Sequence, residues 1–217
     1  MGKITLTPLP KEKSPIIKLN KGGSIKILQK IETIEESQIS VSDLLWETAE
    51  KENCNLFGII DSAKNDEAFR FMIEGGVSYK SLFDGTMDVQ SYGVSGFLVE
   101  CRNDSPLFQW MTGKAWGDNC CIFFTSKASF DELFIHFQKF NRVYLEGDDV
   151  VLFRYYDPRV FRNYLPTCNG KEIDLFFGEI KSFFAERKNP GSINIFGKKD
   201  EIGGSSLSVS SRKIIID

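Results

Sequence analysis

Residues 153–161 read Phe-Arg-Tyr-Tyr-Asp-Pro-Arg-Val-Phe, and this run leaves the backbone little freedom. Val150 to Tyr155 is a stretch of branched, apolar and aromatic residues that follows the turn-forming Gly147-Asp148-Asp149, which predicts a strand. Proline fixes φ and lacks an N–H donor, so Pro158 fits the first position of a helix far better than its interior. Asp157 then stands at the N-cap, where its carboxylate accepts from the free N–H groups of the first turn. The run is therefore expected to be a strand turning sharply into a short helix that closes near Asn163-Tyr164-Leu165-Pro166. Arg154, Asp157 and Arg159 would sit at the corner. Guanidinium forks match carboxylates in geometry, so the three are expected to form a rigid ion-pair corner. The rival reading gives the arginines to a partner, since arginine also anchors interfaces.

The rest of the chain has room for a core. Its 217 residues are 41% hydrophobic and 26% charged, the balance of an ordinary globular protein. Nineteen phenylalanines point to an aromatic-rich core, an adhesive groove, or both. A formal net charge of −3 supplies no basic field of the sort that drives nucleic-acid binding. No run approaches the ~18 apolar residues of a transmembrane helix, and Met1 to Lys13 lacks the apolar stretch of a signal peptide. No nucleic acid, no membrane insertion and a cytoplasmic location are expected. Cys54, Cys101, Cys120, Cys121 and Cys168 are odd in number and have no C-x-x-C spacing, and His136 is the sole histidine. Structural thiols are expected, with no zinc site and no cofactor. In the apolar strand, one of Cys120 and Cys121 should point into the core as a small hydrophobe.

Periodicity divides the chain further. Residues 1–40 are polar and lysine-rich, with one extended piece expected at Ser24 to Leu28. Residues 41–185 hold the regular elements. Ser42 is the expected cap of a helix carrying Leu44, Leu45, Trp46 and Ala49. Cys54 to Ile60 and Phe97 to Cys101 read as strands, and Asp66 to Glu74 as a helix closed by Gly75-Gly76. Ser105-Pro106 opens a helix bearing Leu107, Phe108, Trp110 and Met111. Ser129-Phe130-Asp131-Glu132 is a capping box, after which Phe130, Leu133, Phe134, Phe137 and Phe140 recur at helical spacing. Val143 to Leu145 and Val150 to Phe153 read as a hairpin around residues 146–149. Glu172 to Phe177 is expected to be helical and Ile180 to Phe184 a helix or strand. From residue 186 to 217 serine and glycine dominate, predicting short strands or a partly disordered tail. The class is α+β: a small mixed sheet with flanking helices, in two lobes that form a concave binding surface.

Catalytic signatures are missing. Gly93-Val94-Ser95-Gly96 has its second glycine one position early for a nucleophile elbow, and no phosphate-binding glycine motif occurs. Nothing in the spacing selects a cysteine partner for His136. Asp61, Asp84, Asp148, Asp149 and Asp157 admit an acid/base pairing only if the fold brings them together across a cleft. Each also has a plain role at a strand end, turn or cap. Trp110 and Trp116, flanking a loop, are core residues or partner contacts.

Four segments in order carry a family resemblance. They are Leu56-Phe57-Gly58-Ile59-Ile60-Asp61, then Ser81-Leu82-Phe83-Asp84-Gly85, then Trp116-Gly117 through Ser126, followed by a helix bearing His136, and finally the Asp157-Pro158-Arg159 run. Over roughly residues 50 to 168 the chain resembles the type VI secretion effector adaptors (domain of unknown function 4123, the Tap or Tec chaperones). The resemblance implies a non-catalytic adaptor that holds a cognate secreted effector in the cytoplasm and promotes its loading onto the VgrG spike. It singles out Arg154, Asp157, Pro158, Arg159, Asp84, Gly85, Trp116 and His136 as signature residues, and Trp110, beside the same loop as Trp116, joins them as a candidate partner contact. Two alternatives come from other classes. One is a hydrolase or transferase whose site forms only in the fold, with Asp84 or Cys120 as first suspects. The other is an immunity-type module that blocks a toxin.

Overall fold

The computed structural model describes residues 3–7, 16–20, 39–65, 67–83, 96–144, 150–201 and 204–216. The expectations for Ser24–Leu28, for Asp84 and Gly85, and for the turn at 145–149 lie outside the described residues. A first antiparallel pair, β1 (Lys3–Thr7) and β2 (Ile16–Asn20), is separate from the main sheet.

The main sheet is built from chain segments whose both faces are apolar. β3 (Asn55–Asp61) is buried at every residue after its first, and β6 (Cys121–Ser126) is buried throughout. Such runs show no polar alternation because neither face meets water. With β4 (Tyr79–Ser81), β5 (Gly96–Glu100), β9 (Ile180–Glu186), β10 (Ser192–Glu201) and β11 (Gly204–Lys213) they form seven strands in the order β11-β10-β9-β6-β3-β5-β4. All pairings in this sheet are antiparallel. The class is the expected α+β, but the sheet is larger than expected and is not mixed in direction. The serine-rich stretch after residue 186 supplies a hairpin of two ten-residue strands rather than short strands or a disordered tail. Its register runs unbroken from Ser192↔Lys213 to Glu201↔Gly204.

Strand alternation divides the core into two layers, one on each face of the sheet. Leu56, Ile60, Phe97, Val99, Phe123 and Phe184 meet α1 (Val41–Glu52), α2 (Glu67–Glu74) and α3 (Pro106–Thr112). Phe57, Ile59, Leu98, Phe124 and Phe183 face the other way, toward α4 (Phe130–Gln138), α5 (Pro158–Tyr164) and α6 (Gly170–Phe177). Cys120 and Cys121 are both buried in the first layer.

Local chemistry sets the helix ends. Ser129 and Glu132 form the predicted capping box. Asn169 and Glu172 form a second one that opens α6 two residues earlier than its hydrophobic pattern suggests. Ser40, not Ser42, caps α1: its hydroxyl accepts from the Asp43 amide at 3.0 Å. The hairpin of β7 (Arg142–Tyr144) and β8 (Val150–Leu152) is present, yet β8 stops three residues short of the predicted end at Tyr155. The reason is burial: Tyr155 and Tyr156 leave the ladder and turn fully into the second layer. Tyr156 lies against β5 at Gly96, where a Cβ would come within 2.5 Å of its ring.

Phe176 is the hub of that layer. Its ring lies 5.0 Å from Phe140, 5.5 Å from Phe183, 5.7 Å from Tyr155, 6.0 Å from Phe161 and 6.1 Å from Tyr164. Phe176→Ala should cost about 3–5 kcal/mol in urea unfolding, as for other large-to-small changes in a closed core. A loss below about 1 kcal/mol would mean that the layer re-closes around the gap.

Candidate functional site: a buried ion-pair corner

The Arg154–Arg159 run is placed against the end of β3. Asp61 closes that strand, is wholly buried, and accepts from the Ala63 amide at 3.3 Å, so that it caps the short 3-10 turn Ser62–Lys64. Asp157 caps α5 as predicted, with Pro158 in the first turn. Its Oδ1 accepts from the Arg159 amide at 2.9 Å and from Arg159 Nε at 3.0 Å, while Oδ2 accepts from Arg159 Nη2 at 2.6 Å. Lys64 Nζ stands 3.8 Å from the same Oδ2. Arg154 does not join this fork. It donates through Nη2 to Asp61, 93 positions away in sequence. The corner thus holds three ion pairs on two carboxylates: Arg154 keeps Asp61, while Arg159 and Lys64 share Asp157.

The two acids respond in opposite directions. Burial pushes the Asp61 carboxyl above its ordinary value, and the hydrogen bond and charge of Arg154 recover only part of that shift. Burial also acts upward on Asp157, but the Arg159 fork, the Arg159 amide and Lys64 together hold it below the usual carboxylate range. Asp61 has no surface to offer a substrate. Arg154 is 34% and Arg159 52% exposed at the side chain, with Arg154 Nε buried, so Arg159 is the more open of the two.

The other predicted residues disperse. Trp110 and Trp116 are core side chains: Trp110 stacks on Phe71 at 5.4 Å, and Trp116 stacks on Phe123 while donating to the Pro190 carbonyl at 2.8 Å. His136 lies on α4 with Nε2 2.9 Å from the Phe176 carbonyl, and burial lowers its pKa. None of these three reaches the corner through a hydrogen bond or ion pair. Asp84 and Gly85 lie outside the described residues. Among the described residues no cluster of three or more His, Cys, Asp or Glu side chains could hold a metal ion.

Sequence reasoning missed Lys64 and a further buried acid, Glu186. Glu186 ends β9 and is buried, with Oε2 lacking any hydrogen-bond partner. Burial raises its pKa to about 7, against the amides of Asn119 and Gly117 and the charge of Arg162, all of which act downward. Arg162 spends its Nη1 on the Glu186 carbonyl at 3.0 Å rather than on the carboxylate. No spacing rule marks an acid at the end of an apolar strand as buried.

Two stability measurements test these assignments. Asp157→Ala removes a cap and the ion pairs with Arg159 and Lys64 and should cost about 1–2 kcal/mol. Arg154→Ala leaves Asp61 buried without its cation and should cost more, about 3 kcal/mol; the reverse order in urea titrations would refute the pairing. Glu186 carries a raised folded-state pKa, so its favourable contribution is complete below the unfolded value of 4.5 and is lost as pH rises through about 7. Glu186→Gln should flatten the fall in melting temperature across that window, and an unchanged profile would show that Glu186 is not the titrating group.

These elements coincide with one family of sequences. A family model described as a domain of unknown function (DUF4123) matches residues 56–175. The match runs from the start of the buried part of β3, through the ion-pair corner, into α6. No curated protein and no solved structure matches the chain. With more than half of its length matched, the chain belongs to the DUF4123 family.

Proposed function

We propose that the protein is a non-catalytic adaptor that binds a cognate type VI secretion effector in the cytoplasm and promotes its loading onto the VgrG spike. The observation that carries this reading is the family match over residues 56–175, a family associated with type VI effector adaptors, with the Asp157-Pro158-Arg159 corner inside it. The chemistry of the corner supports it. Its carboxylates are spent on capping and on arginine forks, which suits a rigid frame for an interface better than proton transfer. An adaptor of this kind acts by mass action: by binding the folded or half-folded effector, it stabilises that form until delivery. Among the described residues no helix is long and apolar enough to cross a membrane.

An affinity pull-down from the native host, read by mass spectrometry, tests the reading. Recovery of a type VI effector, with or without the spike, supports it, and recovery of neither from cells that express the secretion machine overturns it. Deletion of the gene separates an adaptor from an immunity module, since loss of the first abolishes delivery to other cells and loss of the second kills the producer. Arg159→Glu should reduce effector recovery. Normal recovery with intact folding would clear that side chain of any binding role.

A further inference from the structure

Between α3 and β6 the chain passes through an irregular turn, residues 113–120, that is fastened to the far end of β9. Trp116 Nε1 donates to the Pro190 carbonyl at 2.8 Å. Gly117 and Asn119 hold left-handed backbone, at φ +102° and +54°, and their amides act on the Glu186 carboxylate. That carboxylate belongs to a residue only 2% exposed, and its Oε2 has no hydrogen-bond partner. The guanidinium nearest in role does not answer it: Arg162 Nη1, reaching over from α5, donates to Asn119 Oδ1 at 3.4 Å and to the Glu186 carbonyl at 3.0 Å. The other titratable or charged groups around Glu186 are Asp118 in the turn, Cys121 on β6 and Arg187, the next residue of the chain. Asp118 has the wrong sign, and Cys121 is a buried thiol held neutral. β10 places the apolar Ile193 opposite Glu186.

We propose that Glu186 is a proton-operated latch on this turn: as the neutral acid it holds residues 113–120 closed against the core, and as the carboxylate it favours their release. The inference is independent of the adaptor reading above. A carboxylate removed from water without a cation suffers an uncompensated loss of hydration, which the acid form escapes. Two backbone amides and the more distant charge of Arg162 offset part of that loss and Asp118 adds to it, and the balance leaves Glu186 with a pKa of about 7. When the turn lifts, the group meets water and returns toward its ordinary value of 4.5. The closed form therefore keeps its full advantage below the ordinary value and loses it as pH rises through about 7. Release breaks the bond from Trp116 to Pro190 and uncovers an indole that is 6% exposed when the turn is closed. The turn thus presents or withholds an apolar surface according to pH.

Hydrogen exchange of the full-length protein, expressed as protection factors so that the intrinsic pH dependence of exchange is removed, reads the latch directly. In the wild type, protection over residues 113–120 should fall at least about ten-fold between about pH 5 and about pH 8, while α4 keeps its protection. Glu186→Gln, neutral at every pH, should hold the turn at its low-pH protection throughout. Carboxyl-carbon NMR of Glu186 in the wild type requires no variant to fold and should give a midpoint near 7. Asp118→Asn removes a like charge and should lower that midpoint. A flat wild-type profile, an equal fall in Glu186→Gln, or a loss of protection shared by α4 would overturn the latch. So would a Glu186 midpoint at its ordinary value.

Discussion

The layer of aromatic rings on the α4–α6 face of the sheet is the constraint on which the other parts depend. α4, α5 and α6 have nine, seven and eight residues, too few to be stable alone in water. What holds them is ring contact with β9. Phe183 lies 5.1 Å from Phe161, 5.1 Å from Phe177, 5.5 Å from Phe176 and 5.8 Å from Phe124. Each such pair adds a geometric preference to the area it removes from water. The corner tyrosines enter the same layer, which is why the backbone abandons the β8 ladder after Leu152.

The ion-pair corner depends on that burial and in turn fixes its direction. A buried ion pair is a poor source of net stability, because desolvation offsets most of the attraction, yet breaking one side of it is costly. Its contribution here is placement. Arg154 ties the approach to α5 onto the end of β3, and Asp157 sets where α5 begins. The seven-residue helix is thereby aimed at Phe176 and Phe183, and Arg154 and Arg159 are held in a fixed relation to each other.

Local features of the corner were legible in the sequence. A proline after an aspartate declares an N-cap, and the cap, the first-turn proline and the bidentate Arg159 fork all follow from three adjacent residues. The same holds for the Ser129 capping box and for the stripe from Leu133 to Phe140. Long-range pairing was not legible. Nothing near Arg154 indicates that its carboxylate is Asp61, and a symmetric guess assigned both arginines to Asp157. Trp110 and Trp116, which flank a loop, read as core or partner contacts, and the structure takes the core reading: their rings are buried against Phe71 and Phe123. The hairpin of β10 and β11 was obscured by composition: serine and glycine suggest disorder, whereas Phe183, Phe184 and Phe196 on the strands they accompany supply enough apolar surface to hold the polar strand in place.

The position of β9 has one more consequence. The family match ends at residue 175, while the strand that covers the free side of β6 begins at Ile180. The stretch by which the family is recognised is therefore shorter than the stretch that can fold. Cut at its boundary, β6 would become an open edge with the sequence Cys-Ile-Phe-Phe-Thr-Ser, the kind of apolar edge that recruits other chains. The segment least constrained by family likeness is also the one that shields the most adhesive strand in the molecule.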